Sequence, residues 1–242
     1  MILKGSFFSN VLQMETNITI VAPNNFNSVK AYKVVYLLHG LCGNSGDWVN
    51  YTMLPVYAYN YQSIFIMPEV GRSFYSDMTY GFKYFSFVTE ELPIICKNVF
   101  NILSEREDTA VIGCSMGGYG AIRNGLKYHD TFGYIGAISA ALLIDDLHNW
   151  GEGDDLLSSR SFAQSCFGDL NKVIGSDMDP KFLIDDLIAN DIEIPKIFMA
   201  VGDNDFLYDE NIDYYNYLKS RNVDVEFRCS SGEHTWEFCN DY

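Results

Sequence analysis

The 242-residue chain predicts an α/β fold: a mostly parallel central sheet with helices on both faces and a small cap insertion. Two observations carry that expectation. Short apolar runs rich in β-branched residues alternate along the chain with stretches whose apolar residues recur at helical spacing. Two of the runs, 33–38 and 63–67, also lack a polar alternation, as strands buried on both faces do. Strand–helix alternation of this kind implies right-handed crossovers and parallel pairing.

Asn17-Ile18-Thr19-Ile20-Val21 reads as an early strand ending at Pro23. Lys33-Val34-Val35-Tyr36-Leu37-Leu38 is continuously apolar after its lysine and runs into His39-Gly40. Ser63-Ile64-Phe65-Ile66-Met67 stops at Pro68 and reads the same way. From about Tyr84 to Leu103 the pattern is mainly helical, with Pro93 as a start or kink. Further strands are expected at 109–112, 134–138, 196–201 and 223–227. The segment from Asp145 to Asn190 is long for a connection. Within it, Asp179-Pro180 followed by Phe182, Leu183, Leu187 and Ile188 marks an N-capped helix with proline at its first position. No repeat or linker divides the chain, so residues 1–242 are expected to form one domain, with 145–190 as a partial cap over the carboxyl ends of the strands.

Composition excludes several functions. A formal net charge of −16 opposes nucleic acid and anionic membrane surfaces, both of which attract basic patches. No run of about 18 apolar residues offers a membrane span. Met1-Ile2-Leu3-Lys4-Gly5-Ser6 lacks the apolar core of a signal peptide. The six cysteines form no C-x-x-C pair, and Cys229, His234 and Cys239 make an incomplete zinc set. The expectation is a cytoplasmic protein without disulfide, metal or cofactor.

Gly113-Cys114-Ser115-Met116-Gly117 is the informative motif. A β-branched run, Thr109-Ala110-Val111-Ile112, precedes it. Met116, Tyr119, Ile122 and Leu126 follow at helical spacing. A strand turning sharply into a helix at G-x-S-x-G is the nucleophile elbow of an α/β-hydrolase. The turn crowds backbone against backbone, so its flanking positions must be small. It presents the Ser115 hydroxyl above the sheet, at the positive end of the helix that follows.

A serine hydroxyl needs a base and a group that orients the base. In this fold they follow in the order Ser, Asp/Glu, His. His129 closes the elbow helix and reads as a dipole partner, and His148 reads as a surface or cap residue. His234, in Ser231-Gly232-Glu233-His234-Thr235-Trp236 after the last expected strand, has the right place and order. Strand 196–201 runs into Gly202-Asp203-Asn204-Asp205, and spacing alone leaves both aspartates open as the acid. The developing oxyanion needs two N–H donors. Met116 supplies one, and the loop after His39-Gly40 supplies the other through Leu41. Trp48, Phe74, Tyr75 and Trp236 are the aromatic residues expected to line a substrate pocket.

Several blocks together resemble the esterase D family of α/β-hydrolases, most closely its tributyrin-esterase-like bacterial members. They are Tyr36 to Leu41 with Gly43-Asn44, Ser73 to Met78, Phe87 to Pro93, the elbow with Gly118-Tyr119-Gly120-Ala121, Phe167-Gly168-Asp169, Gly202 to Tyr208, and Gly232 to Trp236. The family's acid closes a G-x-x-D turn, which the resemblance places on Asp205. The second oxyanion donor again maps to Leu41. Cys114 stands where the family often has Leu, Ala140 where Gly is frequent, and Glu69 where many members carry Asp. The resemblance implies a cofactor-free hydrolase of short-chain acyl esters, acetylated sugars or hydroxycinnamate esters, acting through an acyl-enzyme on Ser115. The partner is then a small ester, and a homo-oligomer is compatible with this. S-formylglutathione is the alternative substrate, and an intact Ser, Asp and His argue against a fold used only for binding.

Overall fold

The computed structural model describes residues 1–24, 32–152 and 159–242. Eight strands form one sheet in the order β1-β2-β4-β3-β5-β6-β7-β8. β1 (Ile2–Ser9) and β2 (Met14–Val21) make an antiparallel hairpin, and β2 pairs antiparallel with β4 (Ser63–Pro68). From β4 onward every pairing is parallel, through β3 (Lys33–Leu38), β5 (Thr109–Cys114), β6 (Tyr134–Ile138), β7 (Lys196–Gly202) and β8 (Val225–Ser230).

β1 is the strand that sequence reading misses. Its residues are mostly exposed, so no hydrophobic pattern announces it; pairing with β2 is what orders it. β3 shows why a continuous apolar run was needed. Val34, Tyr36 and Leu38 enter one core and Val35 and Leu37 the other, so alternate side chains are buried on opposite faces.

The larger core lies under a helical stretch composed of α3 (Tyr84–Ser86), a π-helical turn (Phe87–Glu91) and α4 (Leu92–Phe100), which begins with proline in its first turn. α5 (Met116–Lys127), α7 (Pro180–Ala189) and α8 (Tyr208–Ser220) pack on the same core. The opposite face is covered by the short helices α1 (Asp47–Tyr51), α2 (Leu54–Tyr61) and α9 (Trp236–Asp241).

The 145–190 connection carries α6 (Arg160–Phe167) and α7. The Asp179 carboxylate accepts from the Lys181 N–H at 2.9 Å, the N-cap expected from Asp-Pro. α6 packs on the loop that follows β4, with Phe162 against Phe74 and the Ser165 carbonyl accepting the Tyr80 N–H, and α7 packs on α5. Their apolar residues (Phe162, Phe167, Leu183, Ile184 and Leu187) belong to the main core. Residues 153–158, also part of the expected insertion, lie outside the described residues.

Candidate active site

β5 delivers Ser115 and α5 begins one residue later. Ser115 has φ 58° and ψ −121°, a conformation that costs a non-glycine residue of order 1–3 kcal/mol. Its surroundings hold it there. Its N–H donates to Ile138 O at 3.0 Å, and its carbonyl accepts from Gly118, Tyr119 and Ala141. The glycine requirement is steric. A Cβ on Gly113 would enter the Gly117 carbonyl, and one on Gly117 would enter the Leu38 carbonyl. Chain crossing therefore imposes the small residues that the motif carries.

The His234 imidazole approaches from the loop between β8 and α9. Its Nδ1 lies 2.9 Å from Asp205 Oδ2 and 3.1 Å from Oδ1. Asp205 ends the turn after β7, and its Oδ1 also accepts the Leu207 N–H at 2.8 Å. Burial pushes the Asp205 carboxyl upward, but hydrogen bonds from His234 and the Leu207 amide, with the nearby Ser139 hydroxyl, outweigh it. The carboxyl therefore lies below its ordinary range and is ionised near neutrality. The Ser139 hydroxyl is buried without a well-formed hydrogen bond. Asp203 takes the other role open to it: exposed, its carboxylate accepts the Gly232 N–H at 3.2 Å and ties the two loops together.

Leu41, Ser115 and His234 line one cavity of about 560 Å³. Met116 is buried at the start of α5, where the first N–H groups of a helix have no partner within it. Of the four aromatic residues expected at the pocket, only Trp236 lines this cavity. Trp48 is buried behind it, edge-on to Trp236 at 5.1 Å, with its Nε1–H donating to Leu38 O. Phe74 and Tyr75 are core residues. Phe74 packs on Tyr119, Phe162 and Phe167, and Tyr75 donates its hydroxyl to His39 O at 2.9 Å. Two positive-φ residues in succession at 74 and 75 turn both rings inward, which spacing could not reveal. His129, 3.2 Å from Asp130, and His148 stand away from the cavity wall.

The wall includes residues that sequence reading did not single out: Cys42, Asn44, Asp47, Tyr51 and Thr235. Tyr51 stacks on Trp236, with centroids 5.4 Å apart and planes at 25°. Phe206, 74% exposed, lies over the His234 imidazole at 4.5 Å. An exposed Phe inside the G-x-x-D-F turn was the available signal. Among the described residues, no group of three or more His, Cys, Asp or Glu is arranged to hold a metal ion.

The family model described as a putative esterase matches residues 9–236. The chain belongs to the esterase family. Over its whole length it is 38% identical to an acetyl esterase of Caldicellulosiruptor saccharolyticus, of which it covers 94%. Its fold superposes on FphF, a fluorophosphonate-binding serine hydrolase of Staphylococcus aureus, with TM-score 0.89 and 31% identity over 100% of this chain and 94% of that one. It also superposes on an S-formylglutathione hydrolase (FrmB) of Staphylococcus aureus, with TM-score 0.86 and 30% identity at the same coverage. This esterase is thus an α/β-hydrolase-fold carboxylic ester hydrolase acting on small-molecule esters. No helix of the described residues is long and apolar enough to cross a membrane.

Proposed function

We propose that this esterase is a single-domain serine carboxylesterase that hydrolyses short-chain acyl esters, acetyl and butyryl above all, through an acyl-enzyme on Ser115. The observation that carries the proposal is the His234–Asp205 pair, 2.9 Å apart, on the cavity that also holds an elbow serine. Asp205 holds Nδ1 protonated, which leaves Nε2 free to take the Ser115 proton. The serine oxygen attacks the acyl carbon, and the resulting oxyanion accepts from the Leu41 and Met116 amides. Collapse expels the alcohol with a proton from His234, and water activated by the same imidazole releases the acid.

The mixed polar and aromatic wall suits compact acyl groups on a hydroxylated alcohol, such as acetylated sugars, and the aromatic rim suits hydroxycinnamate esters. A second reading, thioester hydrolysis of S-formylglutathione, is supported by the likeness to FrmB; the net charge of −16 works against an anionic thioester. The six free cysteines suit a reducing compartment, the cytoplasm in this proposal.

The test is kcat/KM for p-nitrophenyl acetate, butyrate and octanoate, methyl ferulate and S-formylglutathione, with Ser115→Ala as blank. A maximum at acetate or butyrate that falls at least about 10⁴-fold in the blank is expected. A dominant S-formylglutathione rate would select the second reading. Undiminished turnover by Ser115→Ala would overturn the mechanism.

A further inference from the structure

His39 is buried to 1% exposure at the carboxyl end of β3 and takes no part in the acid–base chemistry above. Its hydrogen bonds define its tautomer. The Val70 N–H donates to Nε2 at 3.2 Å, so Nε2 is the acceptor and carries no proton. The proton is on Nδ1, which donates to Gly40 O at 2.8 Å. The Gly43 N–H donates to the same carbonyl at 3.1 Å. Two donors therefore hold one carbonyl oxygen.

That carbonyl belongs to the Gly40–Leu41 peptide. No peptide bond among the described residues is cis, and in a trans peptide the C=O and the next N–H point in opposite directions. Holding the Gly40 oxygen on the loop side turns the Leu41 N–H the other way. The nucleophile is close by: a Cβ on Gly40 would stand 3.5 Å from the Ser115 Cβ. The rest of the loop is anchored as firmly. Tyr75 donates to His39 O, Glu69 accepts from the Ser45 N–H at 2.9 Å, and Asp47 accepts from the Asn44 N–H at 3.1 Å.

We propose that His39 is a positioning residue, whose Nδ1–H clamps the Gly40 carbonyl so that the Leu41 N–H is preset toward the oxyanion. It touches neither substrate nor reacting atoms. The inference rests on the acyl-enzyme reading of the preceding subsection. A preset donor matters because reorienting a peptide during reaction would cancel the advantage of a fixed dipole.

The test compares two substitutions that differ in which ring nitrogen they imitate. Asn places an amide N–H near Nδ1, and Gln reaches the Nε2 position without a donor at Nδ1. His39→Gln is expected to lower kcat for p-nitrophenyl acetate about 10- to 100-fold with KM within twofold. His39→Asn is expected to recover kcat to within about fivefold of wild type. Equal losses in both, or none in His39→Gln, would overturn the clamp. If neither variant folds by circular dichroism, the wild-type enzyme carries the test through the ¹⁵N NMR shifts of the His39 ring. A ring protonated on Nδ1 supports the clamp, and one protonated on Nε2 alone overturns it. Ser115→Ala, assayed alongside, separates the two failures. If it stays active the acyl-enzyme reading fails, whereas an inactive Ser115→Ala beside a fully active His39→Gln sinks only the clamp.

Discussion

The two sides of the candidate active-site cavity are built on opposite plans. On the elbow side, β5, Ser115 and α5 are consecutive, and every residue from Met116 to Leu126 is buried. On the loop side, Asp205 and His234 are 29 residues apart and meet through two loops, with Phe206 and Glu233 exposed beside them. The first side derives its geometry from steric crowding within one stretch of chain. The second depends on β7 and β8 pairing in register, Gly202 against Ser230, before its loops can meet. Crowding tolerates no added atom, whereas a loop pair tolerates change in shape but not in hydrogen bonding. Substitutions on the two sides should therefore fail differently.

The largest effect expected from breaking this contrast is chemical and lies on the loop side. Asp205→Asn should lower kcat about 10³- to 10⁴-fold, because the amide stabilises the wrong imidazole tautomer. Near-wild-type kcat would sink the assignment. The same substitution reports on stability. The folded Asp205 carboxyl lies below its unfolded value of about 3.9. Its contribution is thus present above that value and lost as pH falls through the folded one. The Tm gap between wild type and Asp205→Asn should be full at pH 6–7 and close below about pH 4. A gap that does not change with pH would contradict the cause given for the shift.

On the elbow side the expected failure is structural. Gly113→Ala drives a methyl into the Gly117 backbone and should cost about 3 kcal/mol. For a chain of this size that lowers Tm by roughly 6–12 °C. A Tm within 1 °C of wild type would show that the elbow can relax. The smallest effect is expected at Phe206, which lies on the imidazole but donates and accepts nothing. Phe206→Ala should lower kcat about three- to tenfold with Tm nearly unchanged, since the ring is largely in solvent. Loss of foldedness in that variant would overturn the contrast between the two sides.

What could be read without the structure follows the same division. The elbow was legible because strand, turn and helix are contiguous, and its glycines answer a local clash. Most of the parallel strands were legible because burial on both faces leaves no polar residue in the run. Asp203 and Asp205 could not be separated by spacing, since both follow β7. Their separation in space depends on which carboxylate the turn aims at His234 and which at Gly232. The aromatic residues misled for a related reason. Phe74 and Tyr75 have the composition of a pocket wall, but two left-handed backbone conformations turn them into the core.

By itself the sequence determined most of the strands, the elbow serine between Gly113 and Gly117, and the presence of an aspartate and a histidine after it in the chain. Those features arise from contacts between near neighbours, which leave periodic or compositional marks. Only the tertiary structure decided that Asp205 faces His234, that Trp236 rather than Phe74 borders the cavity, that α7 lies beside α5, and that the His39 proton points at Gly40. Each of these joins groups that are distant in sequence or sets the direction of a side chain or peptide. Direction comes from packing and hydrogen bonding between elements, to which the spacing of residues along the chain is blind.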